Sequence, residues 1–195
     1  ILYNAFQVLC NPGDEVIIPT PIWLTFVEQV KLAGGKPVFI KLTPPFKLTA
    51  KDIEKMITKK TKILLLNSPC NPTGAMIDKE ELEKIADLAV KHKLWIITDE
   101  IYEKLIYTTR HISLASLNDR VKERTITVNG FAKSYAMTGW RIGYAAGPTE
   151  VINKMTTLQV QTISNVPTFI QKAALTALTS EQTSVSEMHK EFAQR

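Results

Sequence analysis

The sequence lacks an apolar run long enough to cross a membrane and contains few cysteines. No stretch approaches the roughly 18 apolar residues that indicate a membrane span, and the first residues show neither the basic region nor the cleavage pattern of a secretory signal. Two cysteines, Cys10 and Cys70, are too few for a disulfide framework and lack the spacing of metal ligands. We therefore expect a soluble chain from a reducing cytoplasm, without a metal site.

Concentrated positive charge and internal repeats are also missing. The net charge is +5, but the lysines between residues 31 and 55 are scattered and are not interleaved with aromatic residues. This distribution does not favour a nucleic-acid surface. With 45% hydrophobic and 22% charged residues, the 195-residue chain has the composition and size of one globular domain with a full core.

Short apolar segments alternate with amphipathic ones along most of the chain. This alternation is typical of a mostly parallel sheet with crossover helices, and it predicts a three-layer α/β/α domain. Residues 94–98 are continuously apolar, which indicates a strand buried on both faces. Strands are predicted at residues 15–19, 36–41, 62–67, 94–98, 124–128 and 142–146, and helices at 2–9, 23–33, 49–58, 79–92, 149–163, 167–178 and 182–195.

The helix at residues 79–92 has the clearest pattern. Asp78 and Glu81 have the spacing of a capping box, in which two side chains satisfy free backbone N–H groups at the helix start. The apolar residues that follow recur at helical spacing and predict one buried face, formed by Leu82, Ile85, Ala86 and Ala89.

Polar residues follow three of the predicted strands. Asn71 comes after the strand at 62–67, Asp99 closes the strand at 94–98, and Lys133 lies shortly after the strand at 124–128. Binding groups in parallel sheets collect on loops at the carboxyl ends of strands, so we expect these three side chains to meet at one edge.

Taken one by one, the candidate residues have ordinary explanations. Lys133 alone would be a solvated amine, Asp99 a helix cap, and the run from Asn71 to Gly74 a turn. Trp23 would be a core residue, Arg141 would form an ordinary salt bridge, and Tyr102 would pack against its neighbours like most tyrosines. Cys70 has no histidine near it in the sequence, which disfavours a nucleophile. Surface or loop positions are expected for His92 and His111, and a packed position for His189.

The candidates occur together in an order that resembles a known family. Asn71-Pro72-Thr73-Gly74, then Asp99-Glu100-Ile101-Tyr102, and then the run from Ala132 to Tyr144 with Lys133 and Arg141 are similar to fold type I aminotransferases that depend on pyridoxal phosphate (PLP). The nearest likeness is to the class I family, in the branch of bacterial aspartate aminotransferases. It extends over essentially all 195 residues.

The resemblance implies a role for each candidate residue. Lys133 would bind the PLP aldehyde covalently and then carry the proton, and Asp99 would pair with the pyridine nitrogen. Tyr102 completes the expected catalytic set. The same three residues would bind the cofactor together with Asn71 at the ring hydroxyl, Arg141 at the phosphate and Trp23 stacked on the ring.

The resemblance also implies that the chain is part of a longer protein. Relatives carry a Gly-rich phosphate loop just before the first helix and a C-terminal small domain, whose arginine binds the substrate carboxylate. We expect residues 1–180 to form a PLP-binding large domain that lacks its N-terminal part, and residues 181–195 to begin the helix toward the small domain. At Gly130 some relatives have a phosphate-binding serine. This chain alone is expected to be inactive.

The implied function is transamination between an amino acid and a 2-oxo acid, with aspartate and 2-oxoglutarate as the expected substrates and a homodimer as the expected assembly. An aromatic or kynurenine aminotransferase and a carbon–sulfur lyase are alternatives on the same fold. A PLP-binding regulatory module is an alternative from another class, and an empty structural domain is a third.

Overall fold

The computed structural model describes residues 1–195, and its six strands form one sheet. The strands are β1 (Glu15–Thr20), β2 (Lys36–Lys41), β3 (Thr61–Asn67), β4 (Trp95–Asp99), β5 (Thr125–Gly130) and β6 (Gly143–Ala146). The helices are α1 (Leu2–Leu9), α2 (Leu24–Leu32), α3 (Ala50–Glu54), α4 (Lys79–Lys91), α5 (Asp119–Lys122), α6 (Thr149–Ile163), α7 (Thr168–Thr179) and α8 (Thr183–Gln194). None of these helices is long and apolar enough to span a bilayer.

The sheet is mostly parallel, as predicted. Its strand order is β2-β1-β3-β4-β5-β6, and only β6 runs antiparallel, alongside β5. In the register between β3 and β4, Asn67 pairs with Asp99, so these two strands end at the same level. Connections between parallel strands cross over the sheet, and here they carry helices to both faces. The predicted α/β/α fold is confirmed.

Two separate cores cover the two faces of the sheet. Along β3, Ile63 and Leu65 belong to the core beneath α1, α2 and α6, whereas Leu64 and Leu66 belong to the core beneath α3, α4 and α5. Successive side chains of a strand point to opposite faces, so a strand buried on both sides must be apolar at every position. The same reasoning explains the unbroken apolar run that became β4.

The helices differ from the prediction in three details. Asp78 lies at the start of α4 but makes no capping hydrogen bond, and the Glu81 carboxylate accepts a hydrogen bond from the backbone N–H of Ala50 at 2.8 Å instead. A complete capping box occurs at α3, where Thr49 and Asp52 satisfy each other's backbone N–H groups. That helix has only five residues, shorter than predicted, and α5 was not predicted at all.

Candidate active site

A cavity of about 760 Å³ opens at the carboxyl ends of β3, β4 and β5. Its wall includes all six residues singled out from the sequence, namely Trp23, Asn71, Asp99, Tyr102, Lys133 and Arg141. The sheet edge gathers them because neighbouring parallel strands deliver their following loops to the same place. The structure thus brings the six together, and their individual roles remain predictions.

Hydrogen bonds fix the ends of β3 and β4 to each other. The side-chain amide of Asn67 donates to the Asp99 carbonyl oxygen at 3.0 Å, and its Oδ1 accepts from the backbone N–H of Asn71 at 2.8 Å. The Ser68 N–H donates to the same Asp99 carbonyl at 3.2 Å. Asn67 therefore holds the turn that carries Asn71 against the residue that carries the buried carboxylate.

The Asp99 carboxylate is buried with little compensation. The residue is 6% exposed, and its Oδ1 accepts one hydrogen bond, from the backbone N–H of Ile101 at 3.0 Å. Burial raises the pKa of Asp99 to about 6; the Ile101 hydrogen bond opposes this rise, and the neighbouring Glu100 charge adds to it. A buried anion of this kind gains strongly from a cation placed beside it.

Lys133 and Tyr102 approach each other across the cavity. Lys133 lies in a turn after β5, is exposed, and places its Nζ 5.6 Å from the centroid of the Tyr102 ring. The turn is closed by the carbonyl of Phe131, which accepts hydrogen bonds from Tyr135 and Met137. A free amine in a cavity that a phenol and a buried carboxylate also line is suited to react with a carbonyl compound.

Arg141 has an unusual backbone conformation. With φ 52° and ψ 45° it adopts the left-handed region, which costs a residue other than glycine about 1–3 kcal/mol. Its guanidinium donates a hydrogen bond from Nη1 to the Thr138 carbonyl at 2.7 Å. The fork keeps further N–H groups for another ligand, and a phosphate or carboxylate matches their geometry.

Trp23 does not belong to the core. It is 47% exposed, and its ring packs edge-on against Phe26 with centroids 5.4 Å apart. The position just before α2 directs the indole toward the cavity wall, where an exposed aromatic face can stack on a planar ligand.

Close packing accounts for two glycines beside Lys133. A Cβ on Gly130 would lie 3.2 Å from the Cα of Gly143, and a Cβ on Gly143 would lie 2.8 Å from the Asn129 carbonyl oxygen. The strands β5 and β6 therefore meet too closely for a side chain at Gly143. A serine at position 130 would require the neighbouring backbone to shift.

Some residues at or behind the site were missed from the sequence. Asn67 lines the cavity, and the polar end of an otherwise apolar strand was the signal that could have found it. His111 was expected at the surface or in a loop and lies in the loop after β4, but its side chain is only 12% exposed and its Nε2 lies 2.8 Å from a Glu100 carboxylate oxygen. No local sequence pattern shows that the loop after β4 folds back onto Glu100.

The chain matches known proteins along its whole length. The model of a family described as "Aminotransferase class I and II" matches residues 1–195. An aspartate aminotransferase from Bacillus sp. (strain YM-2) is 50% identical over 198 residues, which cover 100% of this chain and 50% of that protein. The chain spans about half the length of the curated relatives it matches.

Solved structures of aminotransferases also match nearly the whole chain. A structure titled as aspartate aminotransferase from Thermus thermophilus with maleate has a TM-score of 0.92 at 43% identity, covering 99% of this chain and 50% of that one. An aromatic aminotransferase from Pyrococcus horikoshii OT3 has a TM-score of 0.95 at 45% identity, covering 99% of this chain and 53% of that one.

Proposed function

The chain belongs to the class I and II aminotransferase family, and from this premise we propose that the whole protein transfers an amino group between aspartate and a 2-oxo acid. The observation that carries the proposal is the cavity in which Asp99, Tyr102 and Lys133 meet. Aspartate is preferred because the Bacillus relative, at 50% identity, is named an aspartate aminotransferase. Family membership confirms PLP as the cofactor expected from the resemblance.

The residues of the cavity fit this cofactor. PLP carries an anionic phosphate, a basic ring nitrogen, an aldehyde and a flat ring, and each needs a different partner. Asp99 is buried and lacks a cation, which a protonated ring nitrogen would supply. Arg141 offers N–H groups for the phosphate and Lys133 a free amine for the aldehyde.

When bound, PLP supplies an electron sink for the electrons released as a substrate Cα–H bond breaks. We assign the proton transfer to the Nζ of Lys133, which, once the substrate amine has displaced it from the aldehyde, would accept the proton from the substrate carbon and give it back later in the reaction. The Asp99 carboxylate would keep the ring nitrogen protonated by direct charge pairing. The phenol of Tyr102 and the amide of Asn71 would hydrogen-bond the ring hydroxyl, and Trp23 would fix the ring plane.

The proposal extends to the assembly and the location of the protein. We propose a cytoplasmic homodimer that acts in amino acid biosynthesis, with no nucleic-acid or membrane partner. In this scheme residues 1–180 form the PLP-binding large domain, and residues 181–195 lead into a small domain.

Transamination of aromatic amino acids is the second candidate. The aromatic aminotransferase from Pyrococcus horikoshii is 45% identical to this chain, against 43% for the Thermus aspartate enzyme, so identity alone does not separate the two. An absorbance assay of the full-length protein against a panel of amino acids would separate them. Aspartate reacting at least as fast as phenylalanine and tyrosine supports the proposal, and aromatic substrates reacting much faster would replace it.

The role of Lys133 has its own test. Borohydride reduction of the full-length protein with PLP, followed by peptide mass mapping, should place the pyridoxyl group on Lys133. Lys104 and Lys154 provide internal controls, because neither lines the cavity. A pyridoxyl group on another lysine would refute the assignment.

A further inference from the structure

Two lysine–tyrosine pairs connect the segments that carry Tyr102 and Lys133. In the first pair, Lys133 Nζ lies 5.6 Å from the centroid of the Tyr102 ring. Two residues further along each segment, Lys104 Nζ lies 4.7 Å from the centroid of the Tyr135 ring. Each segment thus supplies one lysine and one tyrosine, with the order exchanged between the two pairs.

The second pair is the tighter of the two. Lys104 Nζ donates a hydrogen bond to the Tyr135 phenol oxygen at 2.7 Å and another to the side-chain oxygen of Gln182 at 3.2 Å. A hydrogen bond from a charged donor is about twice as strong as one between neutral groups. Neither Lys104 nor Tyr135 lines the cavity, so this pair joins the two segments from outside the site.

The backbone connects this outer pair to the cavity. The Tyr135 N–H donates to the Phe131 carbonyl at 3.2 Å, which closes the turn that contains Lys133. On the other segment, the Leu105 N–H donates to the Tyr102 carbonyl at 2.8 Å, which closes the turn that contains Lys104. A restraint on the outer pair therefore restricts both turns, and with them the relative position of Lys133 and Tyr102.

Contacts from α8 support Lys104. Gln182 precedes this helix and is held by its own side-chain amide, which donates to the carbonyls of Ala177 and Ser180 at 3.0 and 2.7 Å. Further along, the Nε2 of His189 lies 2.7 Å from the Ile106 carbonyl oxygen. Both contacts reach the turn after β4 and restrict its movement.

We propose that Lys104 is a positioning residue, which acts through Tyr135 to hold Lys133 over Tyr102 in the geometry that reacts with the PLP aldehyde. This inference rests on the proposed function. Its physical basis is proximity, since a restrained amine reaches its attacking position more often than a free one. Lys104 itself touches neither cofactor nor substrate in this scheme.

The rate of covalent attachment tests the proposal. Full-length apoprotein is mixed with PLP, quenched with borohydride at successive times, and the pyridoxyl group on Lys133 is quantified by peptide mass mapping. Tyr135→Phe, which loses one charge-assisted hydrogen bond, should slow attachment about tenfold, and Lys104→Met, which also loses the bond to Gln182, should slow it at least as much. Because Lys104→Met already breaks the contact that Tyr135→Phe removes, the double variant should be about as slow as Lys104→Met alone.

Matched controls separate positioning from general destabilisation. Lys91→Met removes a lysine whose ion pair with Glu54 joins α4 to α3, and neither residue lines the cavity. Tyr107→Phe removes the hydroxyl of a half-exposed ring that packs against His189. Both should attach PLP at the unsubstituted rate. Lys104→Arg, which keeps a charged donor, should restore most of the rate. A purely structural role predicts lower melting temperatures for Lys104→Met and Tyr135→Phe with an unchanged rate of attachment.

The outcomes distinguish this inference from the function beneath it. Unchanged rates in both single variants, or losses that multiply in the double variant, would overturn the role of Lys104 alone. If the unsubstituted protein shows no pyridoxyl group on Lys133, the proposed function fails and this inference fails with it. Should Lys104→Met not fold, Tyr135→Phe decides the question, because it removes a single oxygen atom.

Discussion

Replacing Asp99 with asparagine should affect stability and activity in opposite directions. In the folded protein, burial raises the pKa of Asp99 from 3.8 to about 6. Each unit corresponds to about 1.4 kcal/mol, so ionised Asp99 destabilises the folded apoprotein by about 3 kcal/mol relative to a fully solvated carboxylate. Asparagine has nearly the same shape, keeps an oxygen for the Ile101 N–H, and carries no charge to desolvate.

The pH dependence of the stability separates the effect of the Asp99 charge from the other effects of the substitution. Because the folded pKa is raised, the folded state binds the proton more tightly than the unfolded state, and the stability contributed by Asp99 is lost as the pH rises through about 6. The substituted asparagine side chain also buries an extra N–H donor, but that cost is the same at every pH. The stability of Asp99→Asn relative to the unsubstituted protein should therefore increase by about 2 kcal/mol between about pH 4 and about pH 7.5.

Urea unfolding of the two apoproteins at both pH values measures this difference. Asp87→Asn is the matched control, because the Asp87 carboxylate is 73% exposed and lies 3.8 Å from its Arg120 partner. An exposed pair of this kind contributes little, so its relative stability should stay nearly constant with pH. A pH-independent difference for Asp99→Asn would refute the argument that the Asp99 carboxylate is desolvated without a partner.

The same substitution should reduce activity once PLP is present. The ring nitrogen would lose its charged partner, and the rate of the half-reaction should fall on the order of a hundredfold or more. The affinity for PLP should fall less, because the contacts of Lys133 and Arg141 remain. An unchanged rate would mean that Asp99 is only a cap at the end of β4.

Three further predictions concern other parts of the site. Arg141→Gly should stabilise the apoprotein by at most about 1 kcal/mol, because the relief of left-handed strain is partly offset by the lost Thr138 hydrogen bond and by the flexibility of glycine in the unfolded chain. The same variant should bind PLP more weakly in a direct titration, and equal affinity would contradict the phosphate contact. Gly143→Ala should lower the melting temperature, because its Cβ would lie 2.8 Å from the Asn129 carbonyl oxygen, whereas Ala substitution at the exposed, unconfined Gly139 should cost less. The 195-residue chain should show no measurable transamination in a coupled assay with PLP. Turnover at the rate of whole aminotransferases would contradict the prediction that activity requires further segments of the protein.

Much of the fold was predictable because the determining signals are local. The apolar run of β4 and the alternation of helices and strands follow from burial on both faces of a parallel sheet. The short helix α5 was missed because its four residues contain too few apolar positions to show a helical period. The capping box predicted at Asp78 does not form because Glu81 accepts a hydrogen bond from Ala50, which lies 31 positions earlier. No local sequence pattern reveals such a partner.

The position of the candidate site was predictable for a different reason. Strand ends can be read from the sequence, and parallel topology then brings the loops after β3, β4 and β5 to one edge. What the sequence does not reveal is how the loop after β4 folds back, so the contact between the loop residue His111 and Glu100 was not predicted. The outer contact of Lys104 with Tyr135 was missed for the same reason, because it joins residues 31 positions apart.

Two features of the cavity reduce stability in the apoprotein, and both concern groups that are proposed to hold PLP. Asp99 buries a carboxylate with a single hydrogen bond, and Arg141 adopts a left-handed backbone conformation. Natural selection for stability alone would replace such residues, since asparagine and glycine would remove the two costs. A bound ligand that carries a cation near Asp99 and an anion near Arg141 would offset both at once. Asp99→Asn and Arg141→Gly should therefore raise the stability of the apoprotein but lower that of the holoprotein. Thermal melts of each variant with and without PLP measure both changes.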